Sequence, residues 1–303
     1  MSQQSNRFAQ FLRARRAQLK PEDMGFPVDA DRRVPGLKRE EVAVLAGISV
    51  EYYVRLEQGQ AYQLSAPVLR GLSKALKLNA DATEYFYRLA LPEPIVRKES
   101  EPPAVSDGLM QLIAQWSNLP VCVYDRNQDV IYMNELARAL FPRMHPGSNT
   151  VMTAFAMHPS YREREEWQAL ARTVVSALRF HGNPSDPRLR EIVGVLSVRE
   201  PTFRRMWADH HVVRLTAGIV PAFVEGFGIV NFPWHNLVEP GGLFVGVWPA
   251  PENSLAREVI EHLRQNLKAA QPGGARRSHA SFHHQLDLVQ LAIEPSQVDD
   301  AGI

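Results

Sequence analysis

The stretch Arg39-Glu40-Glu41-Val42-Ala43-Val44-Leu45-Ala46-Gly47-Ile48-Ser49-Val50-Glu51-Tyr52-Tyr53-Val54-Arg55-Leu56-Glu57-Gln58-Gly59 decides the fold of the N-terminal third. Val42, Ala43, Leu45 and Ala46 recur at helical spacing and turn one apolar face to a core. Ala43 is small enough to let a second helix cross closely. Gly47 is expected to end the first helix in the left-handed conformation that glycine tolerates, and Ser49 to cap the next one through its side chain. In that second helix Tyr53 and Leu56 point back to the core, which leaves Val50, Glu51, Tyr52 and Arg55 facing out. Two helices joined in this way form a helix–turn–helix, with the second free to enter a major groove.

Working outward, the pattern stays helical to residue 91. Phe8, Phe11, Leu12, Arg15 and Leu19 predict an amphipathic first helix that carries Arg13, Arg15 and Arg16. A loop rich in Pro, Asp and Arg follows from Pro21 to Gly36. Lys38–Ala46, Ser49–Gln58, Pro67–Leu76 and Asp81–Leu91 complete an all-α, five-helix domain over 1–91. Helices this short are marginal alone and must share one core. Pro92, Pro94, Pro102 and Pro103 mark 92–104 as a linker.

Beyond it the periodicity changes. Val121–Tyr124 and Val130–Met133 read as strands around the turn Asp125–Gln128. Helical patterns follow over Glu135–Phe141, Tyr161–Arg179, Arg188–Leu196 and Thr202–His211. Three strands are expected near 212–220, 226–232 and 242–248. Residues 105–270 are therefore expected to form an α+β domain, one antiparallel sheet with helices on one side. Residues 271–303 read as a polar tail, partly helical (near His283 to Ile293) or disordered.

The chain has 303 residues, enough for two domains, and no apolar run long enough to span a bilayer. Its start shows no secretory signal, and its one cysteine, Cys122, rules out an internal disulfide or a multi-cysteine zinc site. A reduced, cytoplasmic protein with no membrane association is the expectation. The net charge of +1 hides an asymmetry: residues 1–91 hold 14 Lys+Arg against 10 Asp+Glu, whereas 105–270 balance at 16 against 16. The excess positive charge permits a polyanionic partner for the first domain.

The segment 39–59, closing in Arg55-Leu56-Glu57-Gln58-Gly59, resembles the helix–turn–helix of phage-repressor-like regulators. Adding Phe11–Arg16, Pro35–Ala43, Asn134–Phe141, Pro184–Pro187 and Phe203–Trp207, the chain resembles the MmyB-like bacterial transcription regulators, which join such a domain to a PAS-like ligand-binding domain. The resemblance implies double-stranded DNA as partner. It places Arg39 at a phosphate or base contact and Val50, Glu51, Tyr52 and Arg55 in the groove. Arg55 suits a bidentate guanine contact, Glu51 a cytosine amine and Val50 a thymine methyl. Lys38, Arg15 and Arg16 are expected on the phosphates.

PAS-like folds hold ligands between sheet and helices, so the resemblance implies a small molecule in the second domain. Tyr132, Phe155, Trp167, Phe203 and Trp207 are candidates to line the space, and Asn134, Arg179 and His210 to anchor a head group. Apolar and aromatic lining with balanced charge favours a fatty-acid-like molecule over a nucleotide or sugar. Where the family often has a Lys and a His-Pro pair, this chain has Arg214-Leu215-Thr216 and Val220-Pro221-Ala222.

No catalytic residue, metal site or resident cofactor is expected. His210-His211 and His283-His284 are adjacent pairs, which diverge by ~100° on a helix and cannot share an ion as i,i+4 histidines do. No G-x-S-x-G elbow is present. The rival readings are a PAS-like domain that serves only to dimerise the chain, and an enzyme with a DNA-binding appendage. A homodimer is expected on paired half-sites, with Leu255, Val259, Ile260, Leu263 and Leu267 as one candidate surface.

Overall fold

The computed structural model describes residues 3–27, 32, 34–60, 64–90, 104–157 and 159–270. The linker, apart from Ala104, and the tail 271–303, with its expected helix and His283-His284, lie outside them.

In the first domain α1 (Gln3–Gln18), α2 (Arg39–Ala46), α3 (Val50–Glu57), α4 (Ala66–Ala75) and α5 (Ala80–Ala90) surround one core. Phe11, Leu12, Leu37, Val42, Tyr53, Leu72 and Phe86 are fully buried in it. The turn between α2 and α3 forms as its residues dictate. Gly47 has φ +68°, and Ser49 Oγ accepts the Tyr52 amide at 3.1 Å. The crossing of α4 over α2 depends on Gly71, where a Cβ would collide with the Ala46 carbonyl oxygen.

The second domain opens with α6 (Asp107–Ala114), β1 (Val121–Tyr124) and β2 (Val130–Met133). The helices α7 (Glu135–Leu140), α8 (Thr150–Phe155), α9 (Pro159–Arg162), α10 (Glu165–His181), α11 (Pro187–Arg199) and α12 (Pro201–Ala208) follow. The chain then forms β3 (Ala217–Val224), β4 (Gly228–Val238), β5 (Phe244–Val247) and α13 (Leu255–Ala270). The strands make one antiparallel sheet in the order β2-β1-β5-β4-β3. Cys122, Met133, Phe232 and Phe244 point to one face, where α7 and α13 pack. The helices α8 to α12 form a lobe with its own core around Phe155, Trp167, Ile192 and Phe203.

Two expectations are corrected here. Helices lie on both faces of the sheet: α6 brings Ile113 against Val121, Val123 and Val245 on the side opposite α13. The cause is legible in β1, whose four residues are all apolar and all buried, as befits a strand covered twice. The strand expected from residue 212 begins only at Ala217, because Val212 is buried in the core of the first domain. The apolar face of α13 is also accounted for within the chain, since Ala256, Val259 and Ile260 are buried against the sheet and α7.

Candidate nucleic-acid interface and domain junction

Val50, Glu51 and Arg55 stand exposed on α3, with Tyr52 half-buried beside them, while Tyr53, Leu56 and Glu57 face inward. The helix presents its outward row because its last buried residue is anchored by charge. Glu57, 1% exposed, accepts Arg16 Nε at 2.6 Å on one oxygen and Arg39 Nε at 2.7 Å on the other. Burial alone would raise this carboxyl, but hydrogen bonds from Arg16 and Arg39 hold it below the usual carboxylate range. Tyr53, whose ring is buried, lies next to the same carboxylate, which together with burial pushes its phenol well up.

The two arginines on Glu57 differ. The Arg39 side chain is 52% exposed at the start of α2 and still faces solvent; that of Arg16 is 13% exposed and also donates to the Leu37 carbonyl at 2.8 Å. Arg16 is therefore a tie between α1, α3 and the incoming chain at Leu37, not a free phosphate contact. Arg15, one residue earlier, turns away from it: it donates to Gln18 at 3.0 Å and lies near His211 of the second domain. Burial lowers its guanidinium pKa. Lys38 is exposed before α2, its amide held by Glu41 Oε2 at 2.6 Å. Of the eight residues expected at DNA, six thus remain on the open side: Lys38, Arg39, Val50, Glu51, Tyr52 and Arg55.

Beside them Arg32, from the loop between α1 and α2, binds the start of α2. Arg32 donates to both Glu41 oxygens, at 2.8 and 2.6 Å, and to the Gly36 carbonyl at 2.8 Å. These bonds outweigh the desolvation of Glu41 and lower its carboxyl pKa. An open depression of about 350 Å³ lies there, floored by Phe26, Pro27 and Val44.

The eight residues expected at the ligand separate into four places. Phe155, Trp167, Phe203 and Trp207 come together in the helical lobe. Phe155 meets Trp167 and Phe203 edge to face at 5.4 and 5.5 Å, and Phe203 stacks on Trp207 at 5.7 Å. The first three are at most 1% exposed, so they fill the centre of the lobe. Met152, Met157, Tyr161, Val193, Met206 and Trp207 form its half-buried rim. Tyr132 lies across the sheet, packed with the α6 cluster. Asn134 is an N-cap: its oxygen accepts the amides of Ala137 and Val121, and its amide donates to Leu119. With both ends engaged it offers no free head-group anchor.

Arg179 and His210 fall at the contact between the domains. Arg179 is half-buried, its guanidinium 3.9 Å over the Trp207 ring and bonded to the Trp207 carbonyl, with Tyr85 of α5 nearby. His210 sits at φ +52°, and burial, with Arg179 and Arg13 close, lowers its pKa to about 3. Around them the junction closes with matched groups. Phe180 and Val212 are buried in the first domain's core, and Arg88 covers the Phe180 ring at 4.4 Å while bonding its carbonyl. Arg214 pairs with Asp81 and Glu84, and Gln18 donates to the Asp209 carbonyl. His181 Nε2 accepts the Leu215 amide at 3.0 Å, which requires its neutral form; burial and nearby Arg88 and Arg214 pull its pKa to about 4.

Sequence reasoning missed the organising role of Glu57, although the residue closes the quoted motif. It also missed Tyr161. The Tyr161 hydroxyl is buried with no hydrogen-bond partner, and burial raises its pKa to about 12. No sequence signal marks such an orphan; only packing creates it.

No helix among the described residues is long and apolar enough to cross a membrane. Two family models match the chain. One, a helix-turn-helix domain, covers residues 7–86; the other, an MmyB-like transcription regulator ligand binding domain, covers 105–244. No curated protein matches it.

Proposed function

Because its two matched domains make this chain an MmyB-like transcription regulator, we propose that it binds operator DNA through α3 and changes that binding when an apolar small molecule enters the second domain. Arg55 reads a guanine, Glu51 and Val50 read neighbouring bases, and Arg39 and Lys38 hold phosphates. The chain acts as a homodimer on two half-sites in the reducing cytoplasm, and no catalytic role is assigned to it.

The ligand is fatty-acid-like. Its tail displaces the adaptable Met-rich rim around Met152, Met206 and Trp207 and gains roughly 0.8 kcal/mol per buried CH₂. The orphan Tyr161 hydroxyl supplies a donor for the polar end, since an unpaired buried hydroxyl is costly until it finds an acceptor. Arg179 serves as the relay at the other side of Trp207.

The observation that carries the reading is the position of α1. Its Gln18 bonds the Asp209 carbonyl just beyond α12, while its Arg16 holds Glu57 of α3. One rigid helix therefore joins the end of the ligand lobe to the end of the recognition helix. Displacement of Trp207 by a ligand shifts α12 and the Asp209 turn, and α1 passes the shift to α3. The test is to titrate fatty acids of graded chain length into delipidated protein, following Trp fluorescence, thermal shift and operator affinity together. Saturable binding with a changed operator affinity is expected. Absence of binding at every length would leave the second domain as a dimerisation module only.

A further inference from the structure

Beyond the part of the sheet covered by α6, no described residue covers the outward face of β3 and β4. Ile219 is 59% exposed, Phe223 49%, Ile229 37% and Leu237 51%. These residues share a face: Phe223 pairs with Ile229, and Leu237 pairs with Val245, which lies under α6. Their neighbours in sequence, such as Ala222 and Val230, are buried on the inner side. The alternate positions from 217 to 223 and from 229 to 237 include no Asp, Glu, Lys or Arg. A two-stranded, mostly apolar face, polar only at Asn231 and His235 and without a Lys, Arg, Asp or Glu, is unusual on a monomer's surface.

We propose that this face is where two copies of the chain meet, back to back about a two-fold axis. The proposal rests on the reading above that the chain binds DNA as a pair. A second copy is the occupant the chemistry favours. An uncharged face is complementary to itself, as an isologous contact requires, and like charges across the axis are absent. The open edge of the sheet is a poor alternative, because Pro221 in the middle of β3 lacks the N–H that an added strand needs. The chain's own last described helix, α13, packs on the inner face and leaves the outward one uncovered. Since the junction fixes the first domain to the second, a two-fold axis between the sheets also relates the two α3 helices, as paired half-sites demand. The four apolar side chains cover less than the ~800 Å² per partner of a standard interface. The free dimer is therefore weak, in the micromolar range, and is completed on DNA.

Sedimentation of the full chain over a concentration series tests this, comparing wild type with the double variant Ile219→Lys, Phe223→Lys. Wild type should self-associate, and the folded double variant should dissociate at least tenfold more readily. A control, Val198→Lys on the exposed side of α11, should leave association unchanged. A wild-type dimer equally strong in the double variant would overturn the face while leaving the paired reading intact. A wild type that stays monomeric to high micromolar concentration and binds one unrepeated half-site would overturn both. Should the lysine variant not fold, Ile219→Cys gives an independent reading, because Cys122 is buried and silent. A flexible bis-maleimide should join two copies through residue 219. If the chain is monomeric and that thiol is shielded from alkylation, the chain's own residues cover the face and the proposal falls.

Discussion

The two domains handle their aromatic and charged residues in opposite ways. In the first, the residues assigned to DNA stand in solvent, and a buried carboxylate behind them sets their positions through Arg16 and Arg39. In the second, the aromatic residues assigned to the ligand are the core itself, with Phe155, Trp167 and Phe203 packed on one another. A surface that must meet a rigid duplex is built in advance. The proposed site for a flexible apolar molecule is filled by its own side chains, and on that proposal a ligand enters by replacing them at the rim. The contrast makes the first domain sensitive to single charges and the second to single polar orphans.

Glu57→Ala should break that contrast most severely. It leaves the half-buried Arg16 without its carboxylate, a defect that costs up to about 3–5 kcal/mol, and denaturant unfolding followed through first-domain helicity should record it. Arg55→Ala, on the exposed row, should leave stability unchanged within ~0.5 kcal/mol. It should weaken a selected operator by about 1–3 kcal/mol and relax the preference at one base position, measurable by competition with substituted sites.

Tyr161→Phe sharpens the second half of the comparison. Removing the orphan hydroxyl should not destabilise the fold, since no hydrogen bond is lost. Fatty-acid affinity should fall by about 0.5–1.5 kcal/mol, the net worth of one hydrogen bond. Unchanged affinity in calorimetry would remove Tyr161 from the ligand site.

Effects of opposite sign belong to pH. His181 has a folded pKa of about 4, below the ~6.5 of an unfolded histidine, so the unfolded chain binds more protons between these values. Its contribution is present above about pH 6.5 and is lost as the pH falls toward 4. His210, at about 3, acts in the same direction. Asp125, in the β1–β2 turn, is raised to about 6 by burial and by the nearby Asp129 and Asp186, so its contribution falls as pH rises from about 4 to 6. Melting curves across pH 4–7 should therefore lose part of their acid sensitivity in His181→Gln and gain some in Asp125→Asn.

The first domain was legible because its signals are local. Gly47 and Ser49 lie two residues apart, and the outward row of α3 follows from a 3.6-residue period. What could not be read there depends on distant partners: Arg15 and Arg16 are adjacent, yet one meets the second domain and the other meets Glu57, 41 residues away. In the second domain the strands Val121–Tyr124 and Val130–Met133 were readable from their apolar runs and the turn between them. The run at Val212-Val213 has the same character and forms no strand, because the first domain's core takes Val212. Asn134 looked like an anchor and is a cap, a role set by the carbonyl of Leu119 and the amide of Val121 as much as by its own helix. Tyr132 was displaced from the ligand group by strand parity, since its side of β2 faces α6.

Operator affinity of the full chain with and without a saturating long-chain fatty acid, in wild type and in Gln18→Ala, tests the central claim most directly. The Gln18 side chain is exposed and donates to the Asp209 carbonyl of the second domain, so its loss should leave both DNA binding and fatty-acid binding in place. The account predicts a several-fold change in wild-type operator affinity on ligand binding and a much smaller change in Gln18→Ala. An operator affinity indifferent to bound fatty acid in the wild type would contradict it.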